Sequence, residues 1–144
     1  MWVYQAGGST SASNESNWQV RKHLCDHEQM VSMIHINEEM CMYITSSFDG
    51  TVNLYNLWND KFFRTFKHPK LAPIHSALLT QTPLAACCFY SREDHYWYSF
   101  SLNGHMLEKQ REEASHIISP QILKDSHFME KIVYGTEKGY LIFR

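Results

Sequence analysis

The stretch Cys41-Met-Tyr-Ile-Thr-Ser-Ser-Phe-Asp-Gly-Thr-Val-Asn-Leu-Tyr-Asn-Leu57 decides how the chain is read. Its two halves are rich in β-branched, aromatic and sulfur-containing side chains, which suit extended backbone on a pleated surface. Asp49-Gly50 between them supplies a tight reversal. The segment therefore reads as a hairpin with strands over 41–47 and 51–57. Working outward, the same vocabulary predicts strands over 30–36, 62–67, 74–79, 84–90, 96–102, 117–123, 131–135 and 140–144. Turn formers sit between them, among them Asn59-Asp60, Gln81-Thr82-Pro83, Asn103-Gly104 and Glu137-Lys138-Gly139.

The turn has counterparts. Ser47-Phe48-Asp49-Gly50 is answered by Thr136-Glu137-Lys138-Gly139, with the two glycines 89 residues apart. Half that step leads to Ser91-Arg92-Glu93-Asp94, followed by another aromatic strand. A spacing of 44 to 45 residues matches the roughly 40–45 residues of a four-stranded propeller blade and is required by no sandwich. The fold class predicted is all-β, a partial β-propeller of four-stranded WD-repeat-like blades. Residues 1–25 read as the end of a preceding blade, with a flexible polar loop over 7–17. Residues 26–144 read as about two full blades and one incomplete one. So few blades fall short of the roughly four to eight that close a ring. The chain is expected to be a fragment that needs further blades from the same full-length chain. An alternative lets the strand near Val20 complete the last blade.

Composition narrows function. The chain has 144 residues, 44% of them hydrophobic, and a formal net charge of −2. That balance offers no overall field to collect nucleic acid, so no nucleic-acid partner is expected. The longest apolar run is too short for a membrane-spanning helix, and the N-terminus lacks the basic-then-apolar order of a signal peptide. Four cysteines without regular spacing suggest reduced thiols and a cytoplasmic setting. Asn14-Glu15-Ser16 matches a glycosylation acceptor that such a setting leaves unused.

Candidate sites follow from residue types. In a blade of this class a His, a Ser or Thr, an Asp and an indole form a structural hydrogen-bond relay. His27, Ser46 or Ser47, and Asp49 are candidates, and Tyr55-Asn56 stands where Trp-Asp is expected. The Tyr55 hydroxyl can still donate. His23, Cys25 and His27 alternate along one strand face and hold zinc-ligand chemistry, but no second ligand pair exists, so the expectation is no metal and no cofactor. Lys61, Arg64, Lys67 and Lys70 recur around Phe62, Phe63 and Phe66, which makes them a candidate lipid contact, weak or indirect. Strand punctuation favours a solvated outer strand with packed stems. Ser91, Asp94 and His95 fall within one turn and cannot assemble a catalytic triad from separate loops. Cys87 and Cys88 lie in an apolar run and read as inert core thiols. No enzyme is expected. The run Glu108-Lys-Gln-Arg-Glu-Glu113 reads as a solvated strand end or loop, with a helix over 106–118 as the weaker alternative.

Several strings resemble the WD-repeat region of BEACH-domain proteins of the neurobeachin group. They are Ser-Phe-Asp-Gly-Thr-Val-Asn-Leu-Tyr-Asn-Leu-Trp at 47–58, Phe-Lys-His-Pro-Lys-Leu-Ala-Pro-Ile at 66–74, Thr-Pro-Leu-Ala at 82–85, Tyr-Ser-Phe-Ser-Leu-Asn-Gly at 98–104 and Val-Tyr-Gly-Thr-Glu-Lys-Gly at 133–139. The likeness spans roughly residues 18–144. It implies a large cytoplasmic scaffold, peripheral to endomembranes, that binds protein partners through propeller faces in vesicle trafficking or membrane-protein sorting. A WD-repeat adaptor unrelated to BEACH proteins and a phosphoinositide-binding propeller segment are the alternatives, with a zinc-binding protein through His23, Cys25 and His27 as a remote one. The BEACH domain itself would lie upstream of these residues.

Overall fold

A computed structural model describes residues 2–6, 18–81, 85–113, 116–124 and 129–144. The expected loop over 7–17, with Asn14-Glu15-Ser16 in it, and the start of the strand expected over 84–90 lie outside the described residues. Thirteen strands run through the rest: β1 Trp2–Ala6, β2 Trp18–His23, β3 Val31–Asn37, β4 Met42–Ser47, β5 Thr51–Asn56, β6 Phe62–Lys67, β7 Ser76–Thr80, β8 Ala86–Ser91, β9 Tyr96–Ser101, β10 Met106–Arg111, β11 Ile117–Lys124, β12 Glu130–Thr136 and β13 Leu141–Phe143. They form two four-stranded meanders, β3–β6 and β7–β10, a three-stranded sheet β11–β13 and a two-stranded sheet β1–β2. Every pairing is antiparallel. The chain is a partial β-propeller, and its sheets do not close into a ring.

Two strand readings are settled. Of residues 108–113, expected as a solvated strand end or loop, the first four belong to the outer strand β10, whose six side chains are all exposed, and the alternative helix over 106–118 does not form. Period-2 patterning carries no signal when neither face of a strand is buried. The strand near Val20 pairs with β1 rather than completing the last blade.

Parity places the core. On β5, Val52 and Leu54 point into a cluster with Ile44, Phe66, Ile74, Leu79, Cys87, Phe89 and Tyr98, which fills the space between the two four-stranded blades. A second cluster, with Leu78, Cys88, Tyr90, Trp97, Ile117 and Tyr134, joins the middle blade to the third sheet. Strand β8 thus sends alternate side chains to opposite neighbours, and all of them are buried. This is why its sequence reads as a continuous apolar run rather than an alternation. Burial pushes the Cys87 thiol well above its ordinary pKa, which suits a packing role.

Between blades, side chains replace the missing backbone ladder. On the inner strand β3, Asn37 Nδ2 donates to the Leu79 carbonyl at 3.1 Å, and the Leu79 N–H donates to His35 Nδ1 at 3.2 Å. Both polar backbone atoms of a fully buried β7 residue are thereby satisfied across the blade boundary. Nearer the start of the same strands, Ser32 Oγ donates to the Ile74 carbonyl at 2.7 Å. Glycine is demanded where Gly50 turns: its φ is +81°, and a Cβ there would lie 2.6 Å from the Leu71 carbonyl carbon.

Two measurements check this architecture. Gly50→Ala is expected to lower stability by about 2–4 kcal/mol in urea unfolding, combining φ strain with a backbone clash. Gly139→Ala shares the φ of +81° but meets nothing within 4 Å, so about 1 kcal/mol is expected. Burial holds His35 below the ordinary imidazole pKa, with Glu130 opposing it. A depressed pKa means the unfolded chain binds the proton first, so this contribution is complete above the unfolded value of 6.5 and declines as pH falls below it. The urea midpoint should drop from pH 7 to 5, and drop less in His35→Gln.

Candidate functional site

The chemistry-bearing side chains gather where each blade begins. His27 lies just before β3 and reaches over the β4–β5 turn. Its Nδ1 is 3.1 Å from Asp49 Oδ2 and 3.0 Å from Thr51 Oγ1, and its Nε2 is 2.7 Å from Thr45 Oγ1. Thr51 spends its own hydroxyl proton on Asp49 Oδ1 at 2.6 Å. Nδ1 therefore carries the imidazole hydrogen, and Nε2 accepts from the Thr45 hydroxyl and, at 3.4 Å, from Asn53 Nδ2. Burial pushes the Asp49 carboxyl up, but the Thr51 hydroxyl, the Glu28 and Thr51 N–H groups and His27 outweigh it and hold the pKa low. The Tyr55 hydroxyl donates to Asp26 Oδ2 at 2.9 Å. Burial, with that carboxylate beside it, raises the Tyr55 pKa.

Of the residues singled out from the sequence, His27 and Asp49 meet directly. The hydroxyls in the relay belong to Thr45 and Thr51, not to Ser46 or Ser47. Ser46 and Ser32 share a hydrogen bond at 2.9 Å, and Ser47 donates to the Gln29 carbonyl at 3.2 Å and accepts from the Asp49 N–H. Period 2 explains the choice, since Thr45 pairs with Asn53 and shares its face, whereas Ser46 pairs with Val52 on the other. Tyr55 joins through Asp26, a residue the sequence reading passed over.

The middle blade repeats the device with different parts. His68, fully buried, donates from Nε2 to Asp94 Oδ2 at 3.1 Å, and its Nδ1 accepts from the Lys70 and Ala72 N–H groups at 3.2 Å each. The tautomer is the opposite of that in His27. Tyr98 donates its hydroxyl to the same Asp94 oxygen, and Phe89, paired with Tyr98, occupies the place of Thr45. In the third sheet Glu112 takes the histidine's place, accepting from the Tyr134 hydroxyl and, at 3.1 Å, from Arg144. Burial and this carboxylate raise the Tyr134 pKa. His68 within the string at 66–74, 41 residues after His27, was the signal that could have revealed the second relay.

Other candidates are dispersed. His23 and Cys25 are exposed, whereas both His27 nitrogens point into the relay. Among the described residues no group of three His, Cys, Asp or Glu side chains is arranged to hold a metal ion. Asp94 is taken up by His68 and Tyr98, Ser91 is buried, and His95 is exposed on the turn at φ 59°. Lys61, Arg64, Lys67 and Lys70 are all exposed, but they do not share one face. Arg64 pairs with Leu54 on the side of the middle blade, and Lys67 pairs with Thr51 on the opposite side. At the inner edge a cavity of about 440 Å³ opens between β3, β7 and β11, with Phe48, His75 and Arg92 at its rim.

These features define a propeller of the WD40 class. The chain superposes on the WD40 β-propeller domain of Doa1 with a TM-score of 0.67 at 19% identity, covering 90% of this chain and 42% of that one. Among curated proteins it is similar to BEACH domain-containing protein lvsD of Dictyostelium discoideum, 38% identical over 53 residues, 37% of this chain. It is also similar to BEACH domain-containing protein B of Arabidopsis thaliana, 24% identical over 127 residues, 84% of this chain. The matched segments span 2% and 4% of the lengths of those relatives. No family model matches.

Asp94→Ala should cost about 2–4 kcal/mol, because it strands a buried imidazole N–H and a buried hydroxyl. In a double-mutant cycle with Tyr98→Phe a coupling of about 1–2 kcal/mol is expected from chemical denaturation.

Proposed function

We propose that this chain is a non-catalytic interaction platform within a BEACH-type WD-repeat scaffold, acting in vesicle trafficking or membrane-protein sorting. The observation that carries the reading is the separation of roles in the polar groups. The buried histidines and carboxylates of the blade starts hold backbone and turns in place, whereas Phe48, His75 and Arg92 line an open mouth whose walls mix polar and apolar side chains. Rigid sheets that present a fixed rim suit recognition of a protein surface or extended segment. WD40 propellers are typically non-catalytic, and the similarity to two BEACH domain-containing proteins supports the trafficking setting. A cytoplasmic location peripheral to endomembranes follows from that same reading.

The mouth separates recognition from folding. Phe48 and His75 pack ring to ring at 5.1 Å, and the Arg92 charge helps keep the His75 pKa low behind the larger effect of burial. The tagged chain expressed in cells should enrich a defined set of cytoplasmic trafficking proteins in proximity labelling. Arg92→Glu should lose that set while its circular dichroism and urea midpoint stay unchanged. Retention of the set in Arg92→Glu, or an enriched set without trafficking proteins, would overturn the reading.

A further inference from the structure

We propose that the outer edge of the first four-stranded blade, formed by the β5–β6 turn and β6, is a docking surface for an anionic lipid bilayer. The inference is independent of the scaffold reading above and rests on how the turn is built. Asn56 Oδ1 accepts from the N–H groups of Trp58 at 2.9 Å and Asn59 at 3.2 Å, and Asn59 Oδ1 accepts from the Lys61 N–H at 3.0 Å. The Asp60 N–H closes onto the Asn56 carbonyl at 3.0 Å, with Asp60 at φ 54°. A turn tied at four points holds its side chains in fixed directions. It directs Trp58 outward, 74% exposed, and the indole has no hydrogen-bond or ring partner among the described residues. Phe62 and Phe63 follow, each 47% exposed. Phe62 meets Tyr55 edge-on at 5.9 Å and Phe63 is half exposed, so the ordered edge keeps the Trp58 indole in water with two partly exposed rings beside it, which suits a binding surface.

Charge identifies the occupant. Residues 58–70 carry four cations, Lys61, Arg64, Lys67 and Lys70, and one carboxylate, Asp60, in a chain whose net charge is −2. That carboxylate is turned inward, accepting from the Tyr43 hydroxyl at 3.1 Å and lying 4.0 Å from Lys22 Nζ. Within residues 58–70 the outward charges are therefore all cations. Arg64 lies with its guanidinium against Gly104 on the β9–β10 turn of the middle blade, and Lys67 is on the opposite sheet face, so the cations flank the edge and do not form a single binding face. A flat, negative surface met edge-on engages both sides at once, whereas a peptide groove does not. The tip is a hairpin turn, and indole and phenyl rings flanked by lysine and arginine stems are the composition of an interfacial anchor. Strand β10, the corresponding outer strand of the next blade, has no aromatic residue and includes Glu108. It provides an internal comparison.

The test uses the full chain and vesicles of phosphatidylcholine with or without phosphatidylserine. Binding should require phosphatidylserine and weaken with salt. Brominated acyl chains should quench tryptophan emission, and the quenching should vanish in Trp58→Ala although the other three tryptophans remain. Lys61→Glu with Lys67→Glu should lower vesicle affinity by roughly fivefold or more per removed cation. Arg111→Glu on β10 should change nothing. Circular dichroism and urea midpoints verify that each variant folds. If Trp58→Ala does not fold, the lysine pair decides. Equal binding to neutral vesicles, quenching that persists in Trp58→Ala, or binding to soluble polyglutamate with none to vesicles would overturn the proposal, the last in favour of an acidic protein partner.

Discussion

Sheets arranged around an axis share no strand-to-strand backbone ladder with their neighbours. Apart from a bond from the Ile74 N–H to the Ser47 carbonyl at 3.1 Å, the first blade is joined to the next by side chains, and every polar backbone atom at the boundary must find a partner there. The rest of this structure depends on that constraint. Leu79 shows it most plainly: a fully buried residue on an inner strand has its N–H taken by His35 and its carbonyl taken by Asn37, both from the preceding blade. The apolar clusters on either side of β8 supply most of the driving force by area. The clasp fixes the register at which the blades meet.

The three relays solve one problem in three ways. Each blade start must be pinned to the turn or strand beyond it, and each uses a buried polar group with several partners. His27 holds its hydrogen on Nδ1, His68 holds it on Nε2, and Glu112 has none and accepts throughout. The tautomers follow from what the second nitrogen meets, a threonine hydroxyl in one case and two backbone N–H groups in the other. Such networks are costly when half-made and rigid when complete. This explains how the repeat tolerates a different residue at nearly every relay position, provided that the donors and acceptors still match.

The outer strands differ because little constrains them. β6 and β10 occupy the same place in their blades, yet one is aromatic and basic and the other is mixed in charge and wholly exposed. Packing does not set this difference, since neither strand contributes more than Phe66 to the core clusters. Edges of sheets are commonly blunted by charge, and β10 fits that role. The exposed rings of β6 and its turn go beyond it.

The amino-acid sequence was sufficient for the blade: the hairpin over 41–57, the spacing of 44 to 45 residues and the all-β class are local and periodic, and strand chemistry with turn residues is what local physics encodes. It also placed His27 and Asp49 at the start and turn of a blade. It did not decide between Thr45 and Ser46, which depends on the face each takes in a pairing, and it passed over His68 and Glu112, whose partners lie 26 and 32 residues away at Asp94 and Arg144. Strand β10 left no pattern because both of its faces are wet. Tautomers, clasps and the outward aim of Trp58 belong to the tertiary structure alone, since each depends on which distant donor or acceptor arrives, and no run of neighbouring residues specifies that.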